Sequence, residues 1–294
     1  VLALVTGNRG FLAPEFTDVF RRTGTAHLLA ISGLHMGILA AGCWWLLGWI
    51  VGGLWPALFR HHGKRRVCGI GVVALLAGYV IAIGAPVSAV RAWAVVAVAV
   101  GAYLTWRAIC PIHALAVAAS AIVLNRPAAA AELGFQLSFA ATLGILLFLE
   151  HRPAWLHRPA GTAKWDEESR WKRLTRRAVL YIGVSLSATI ATWPVLLAHL
   201  GAVPGWGLLV NLVVTPIFAA IVFPLVVVSV VGAFVAPMYA TELLDLSAHL
   251  LFGLADLLGW LVEGSGAKWV FGVPGLGATC LLVTAVFILC TSRW

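Results

Sequence analysis

Charge is scarce in this sequence. Of 294 residues, 11% are Asp, Glu, Lys or Arg while 62% come from the set AVILMFWYC, whereas a water-soluble domain carries about 25% charged residues. That shortage excludes a soluble globular protein, because too few ionic groups remain to cover a water-facing surface. The familiar metal and nucleotide signatures are missing too. There is no HExxH, no HxHxDH and no Walker-type GxxxxGK(S/T) loop, so the sequence spells neither zinc-hydrolase chemistry nor self-powered nucleotide hydrolysis. The five cysteines (Cys43, Cys68, Cys110, Cys280 and Cys290) form no CxxC pair and lie in or beside apolar runs. They read as small packing residues, not as disulfides or ligands. No metal, no cofactor and no catalytic residue is expected.

What fills the chain is apolar sequence, with a mean hydropathy of +0.98. At roughly 20 residues per crossing there is room for about eight spans with short loops. The expected fold class is all-α, a polytopic integral membrane protein with about eight membrane segments, interfacial amphipathic helices and a short re-entrant segment, built as a single transmembrane domain over 1–294. The chain opens at Val1 without a charged n-region before a cleavable apolar core. It is expected to be a piece excised from a longer protein.

Along the chain, 13–24 reads as an interfacial helix. Pro14 suits the first helical position, Glu15 and Asp18 lie early, Arg21 and Arg22 close the last turn, and Gly24 can cap. Phe16, Val19, Phe20 and Thr23 share one face. A first apolar stretch, 26–58, ends in Arg60, His61, His62, Lys64, Arg65 and Arg66; spans follow at 67–84 and from Arg91 to near Arg107. The run 111–124 is short and is interrupted by Asn125, Arg126 and Pro127, which suits a tilted or re-entrant helix. The next crossing is 132–149, and 151–177 reads as a cytoplasmic basic loop. Further spans fall at 178–200, at 206–231, which carries Asn211, Pro216 and Pro224, and at 275–290. Proline in an apolar run frees backbone groups that protein or a water-filled cavity must satisfy, so 206–231 is a candidate pathway wall. In 241–263, Glu242, Asp245, His249, Asp256 and Glu263 fall in one arc of an amphipathic helix, for which an interfacial position is preferred over a pore-facing one.

Lys and Arg total 20 against 11 Asp and Glu, a formal charge of +9. Cytoplasmic loops concentrate Lys and Arg for topological reasons alone, and with the loops at 60–66 and 151–177 and Arg107 inside, 13 of the 20 are accounted for. Arg9, Arg21, Arg22, Arg91 and Arg126 fall outside or near the outer face, more than topology needs; Lys268 and Arg293 stay unassigned.

The densest polar group is His27, Ser32 and His35 in HLLAISGLH, where Ser32 and His35 would be helical neighbours and Gly33 and Gly37 would permit close helix approach. It suits either a nucleophile and its base or a hydrogen-bonded packing device. Glu132, Gln136 and Ser138 form a second group in ELGFQLSFAA. Arg91 is a third feature, functional by default if buried in the membrane and discounted if it snorkels from a helix end. Asn211 either joins helices or lines a path.

With FRRTGTAHLLAISGLHMG (20–37), PVSAVRAW (86–93), NRPAAAAELGFQLSFAA (125–141) and ATWPVLLAHLGAVPGWGLLVNLVVTPI (191–217) in view, the sequence resembles the competence domain of the ComEC family. The resemblance implies a multi-pass channel in the bacterial plasma (inner) membrane that passes transforming DNA to the cytoplasm as a single strand. It implies a DNA receptor and a cytoplasmic translocase as partners beside single-stranded DNA and the lipid bilayer, and it leaves open a pore within one chain or between the two chains of a homodimer. Nuclease chemistry would lie in domains absent from this chain. Mapped onto the motifs, the DNA-path candidates are Arg21, Arg22, His27, Ser32, His35, Arg91, Trp93, Arg126, Glu132, Gln136, Ser138 and Asn211, the outer arginines forming a funnel with Trp93 for stacking. Two other readings stand beside it: a secondary transporter of a small anionic or lipid-like substrate built on the broken helix, and an intramembrane serine hydrolase built on Ser32.

Overall fold

The computed structural model describes residues 13–29, 33–105, 110–156, 170–201, 203–204, 206–233, 237–265 and 268–269. Within them the chain is helical except for short turns and one two-residue antiparallel pairing, Val203 with Trp269 and Pro204 with Lys268. The helices are α1 (Pro14–Arg22), α2 (Gly33–Leu54), α3 (Pro56–His62), α4 (Lys64–Ala82), α5 (Val87–Leu104), α6 (Pro111–Asn125), α7 (Leu133–His151), α8 (Arg170–Leu200), α9 (Gly207–Ile217), α10 (Phe223–Gly232) and α11 (Pro237–Ser265). Among the described residues six stretches are long and apolar enough to cross a membrane: α2, α4, α7, α8, the run Gly207–Gly232 through α9 and α10, and Met238–Trp260 of α11. Two shorter apolar helices, Ser88–Leu104 and Pro111–Asn125, stand where the segments at 91–107 and 111–124 were expected, and α11, for which an interfacial position was preferred, is among the six. The span expected at 275–290 lies outside the described residues.

Side-chain placement is that of a protein whose solvent is lipid. Trp45 and Trp49 are 71% and 70% exposed, and Ile70, Ile81, Leu124 and Trp260 also face outward. Inside, one apolar cluster joins Phe20, Leu28 and Leu29 to Val210, Val214, Phe218, Val222 and Phe223 and to Leu251, Leu254 and Leu258 of α11. A second joins Met36 of α2 to Val72, Leu76 and Val80 of α4 and Ala89 and Ala92 of α5. In lipid, helices associate through close packing and small residues, and the glycines show where. A methyl on Gly144 of α7 would stand 2.7 Å from the Ser187 carbonyl oxygen of α8, and one on Gly183 of α8 would overlap Phe148. Gly33 and Gly37, expected to admit a neighbouring helix, have nothing within 4 Å of where a Cβ would lie. Both are exposed, and α2 packs through His35 and Met36 on another face.

Helix ends follow the sequence where it was explicit. Gly24 takes φ 74° beyond α1, and the Thr25 N–H reaches back to the Phe20 carbonyl at 2.8 Å, closing the helix in a Schellman turn. The apolar face of α1 covers protein: Phe16 meets Phe252 of α11 edge-on, ring centroids 5.5 Å apart. The amphipathic pattern that suggested a lipid interface here is therefore satisfied by packing. Residues 170–177, expected as part of the basic loop, are the first two turns of α8. Arg, Lys, Leu and Trp tolerate a helix well, and the long basic stems extend it beyond the apolar run. In α11, Ser247, Leu251, Leu254, Ala255 and Leu258 are buried while Glu242, Asp245, His249 and Asp256 are exposed. Its acidic arc thus points away from the helices it packs on.

The prolines of Gly207–Gly232 leave a visible mark. Pro216 has no N–H to give the Leu212 carbonyl, and the Tyr181 hydroxyl of α8 donates to that carbonyl instead at 3.0 Å. Pro224 is preceded by a π turn, Phe218–Val222, in which the Phe223 N–H reaches the Phe218 carbonyl. The run bends its hydrogen-bond pattern without breaking.

Candidate functional site

Helix directions set which residues share an end of the bundle. α7 and α8 are antiparallel, with Gln136 near His199, Gly144 beside Ser187 and Ala191, and Phe148 against Gly183. α4 and α5 are antiparallel as well: the Trp93 indole N–H donates to the Val73 carbonyl at 3.1 Å, and the Arg65 guanidinium lies 3.6 Å from the Tyr103 ring centroid. Arg91, near the start of α5, lies against Gly134 at the start of α7. Arg91, Arg126, Glu132, Gln136 and His199 therefore gather at one end. The basic residues of α3, the start of α4 and the start of α8 lie at the other.

At the first end the site is built from three motif stretches. Arg91, from PVSAVRAW, is 7% exposed, and its Nε is buried without a hydrogen-bond partner among the described residues. A methyl on Gly134 would stand 3.5 Å from its Nη2 and 3.6 Å from its Nη1, so the guanidinium lies over the first turn of α7. From NRPAAAAELGFQLSFAA, Arg126 pairs with Glu132 at 2.8 Å across the Pro127–Ala131 turn. Glu132 is also within electrostatic range of Arg91. Gln136 donates from Nε2 to the Ala130 carbonyl at 3.0 Å and meets His199 Nε2 through Oε1 at 2.8 Å. The amide thus ties the turn before α7 to the end of α8. His199 sits inside ATWPVLLAHLGAVPGWGLLVNLVVTPI, and sequence reasoning passed over it; a histidine closing an apolar run was the available signal.

The other candidates lie apart. Arg21 and Arg22 are exposed, Arg22 in an i, i+4 pair with Asp18. His27 is not on the helix that carries His35: it falls in a separate 3-10 turn, Ala26–Leu29, with Nδ1 3.2 Å from the Gly24 carbonyl oxygen. Ser32 lies outside the described residues. His35 is 1% exposed and stacks on Phe223, ring centroids 4.2 Å apart. It fixes α2 to the π-turn region of the Gly207–Gly232 run, and Phe223 is a partner the sequence did not point to. Trp93 holds α5 to α4 through its indole N–H. Ser138 is exposed, and its carbonyl accepts from Thr142. Asn211 is half-buried, its Oδ1 without a hydrogen-bond partner among the described residues. Among those residues no three of His, Cys, Asp and Glu converge on a common point, and Cys43, Cys68 and Cys110 are free thiols.

A helical bundle with lipid-facing tryptophans, six candidate spans and a buried arginine at one end defines the class: a multi-pass membrane protein with a polar site inside its helical packing. The sequence model of the family described as "Competence protein" matches residues 4–294, and the chain belongs to that family. It is 27% identical over 266 residues to ComE operon protein 3 of Bacillus subtilis, covering 89% of this chain and 29% of that protein. It is 26% identical over 267 residues to Recombination protein 2 of Haemophilus influenzae, covering 89% and 32%. A similar match joins it to the uncharacterized protein YcaI of Escherichia coli, 26% over 290 residues, 93% of this chain and 35% of that one. The chain thus spans about a third of the length of these relatives. No solved structure matches it.

Proposed function

We propose that this chain is the membrane conduit through which one strand of transforming DNA enters the bacterial cytoplasm across the plasma membrane. The observation that carries the reading is that three separate motif stretches meet at one end of a multi-pass protein of the competence family, the buried Arg91 lying against Gly134 and His199 bonded to Gln136 two residues further along α7. A polyanion crossing a low-dielectric bundle needs fixed positive charge along its way. Conduction is passive, the chain contributing no chemistry of its own, and the driving force comes from a cytoplasmic translocase after an outer DNA receptor has delivered the strand. The end bearing Arg60–Arg66 and Arg170–Arg177 faces the cytoplasm, in keeping with the positive-inside rule. The end bearing Arg91 and Arg126 faces out, and the acidic arc of α11 stands off the path.

The test is uptake in a transformable host carrying the full-length protein. Loss of the gene should abolish entry of labelled DNA into the cytoplasm and leave uptake of small anionic solutes unchanged. Lost solute uptake with normal DNA entry would replace the conduit by a secondary transporter working around the π turn.

A further inference from the structure

The first turn of α7 and the Arg91 side chain present two positive groups to one another. Leu133, Gly134 and Phe135 have no helical acceptor for their N–H groups, since the ladder begins with the Gln136 N–H on the Glu132 carbonyl at 3.1 Å. No side chain caps this end. A 19-residue helix carries partial positive charge there. The guanidinium lying over it is more than nine-tenths buried and makes no hydrogen bond or ion pair among the described residues. The nearby carboxylate that could answer both, Glu132, is bonded to Arg126. Gly134 is exposed and has no side chain, so the backbone between the two positive groups can be reached from outside.

We propose that Arg91 and the amino-terminal turn of α7 form a phosphate subsite for the backbone of the conducted strand, the anion lying between the guanidinium fork and the free N–H groups of 133–135. This rests on the conduit reading and gives it a specific contact. A guanidinium fork and a helix N-terminus each match two phosphate oxygens and read no base. The subsite is therefore indifferent to sequence, as import of arbitrary DNA requires. A glycine at 134 is needed because a methyl there would fill the space beside Nη1 and Nη2 that the anion occupies.

The experiment compares a short oligodeoxythymidylate with its uncharged methylphosphonate counterpart, binding the full-length protein in maltoside micelles, which carry no phosphate. Wild type should prefer the phosphodiester by roughly tenfold or more. Arg91→Gln and Gly134→Ala should each lose most of that preference at normal membrane abundance, and Arg91→Lys should keep an intermediate share. If Arg91→Gln does not accumulate, Gly134→Ala decides, because its methyl meets the guanidinium only at ordinary contact distance. A phosphodiester preference unchanged in both Gly134→Ala and Arg91→Lys overturns the subsite while the conduit reading stands. Anionic lipid held through Arg91, with oligonucleotide binding indifferent to that residue, overturns the assignment to nucleic acid. Normal DNA entry in a strain lacking the gene overturns the conduit reading itself, so the two failures are distinguishable.

Discussion

The Tyr181 hydroxyl stands in for an N–H that Pro216 cannot supply, and that substitution can be weighed. Tyr181→Phe removes the donor to the Leu212 carbonyl at 3.0 Å and the longer approach to the Asn211 carbonyl at 3.4 Å. A carbonyl left without a partner costs about 1–3 kcal/mol, while hydrogen bonds between membrane helices average about 0.6 and reach about 1.7 kcal/mol. The expected loss is therefore about 1–1.5 kcal/mol. With Pro216→Ala in the background, residue 216 regains an N–H one turn after Leu212 and closes the helical bond. Tyr181→Phe should then cost less than about 0.5 kcal/mol, leaving a coupling of about 1 kcal/mol between two residues on different helices. Unfolding of the full-length protein in mixed micelles by sodium dodecyl sulfate, followed by tryptophan fluorescence, measures all four corners of the cycle. Equal costs in the two backgrounds would refute the argument.

Other consequences are direct. Gly144→Val drives a side chain into the Ser187 carbonyl and Ala191 of α8, so folded protein in the membrane should fall in line with overpacking of about 2–3 kcal/mol, whereas Gly37→Ala, with nothing near its Cβ, should leave it unchanged. His35→Leu removes the stack on Phe223 and should destabilise by about 1 kcal/mol in the same unfolding assay, with His35→Phe restoring most of it. Arg21→Ala with Arg22→Ala tests the outer funnel: cytoplasmic DNA entry should fall and depend less on salt, and unchanged entry at normal protein levels would remove these two residues from the path.

Much of the architecture was legible because a bilayer imposes a coarse code. Runs of apolar residues and the Pro14–Gly24 helix signals sit where the sequence put them. The errors have physical causes. Helical periodicity cannot tell an apolar face that meets lipid from one that meets protein, and in α1 it is protein that Phe16 and Phe20 meet. A glycine in an apolar run reports permission for close approach, and only the partner helix decides whether it is used; Gly144 and Gly183 use it, Gly33 and Gly37 do not. For the site, Arg91, Glu132 and Gln136 were visible as polar groups in costly surroundings. His199 and Phe223 were not, because their relevance comes from helices distant in sequence that meet only on folding.

A conduit for a polyanion must attract each phosphate and also let it go. Along the proposed path the outer arginines are mostly balanced: Arg22 pairs with Asp18 and Arg126 with Glu132, so beyond a Debye length of about 8 Å each pair contributes little net field. Attraction would then be concentrated at Arg91, deep in the packing. Glu132→Gln tests whether that balance matters. It releases Arg126 from its carboxylate and removes negative charge beside Arg91, so oligonucleotide affinity of the full-length protein should rise several-fold, as expected for a freed charge-assisted contact. In a conduit the same change should lower DNA entry into the cytoplasm, because each phosphate would be held longer at the mouth. In a receptor, binding and entry would rise together. A variant that binds more tightly and also imports more would therefore refute conduction through this site, whatever Arg91 alone turns out to contribute.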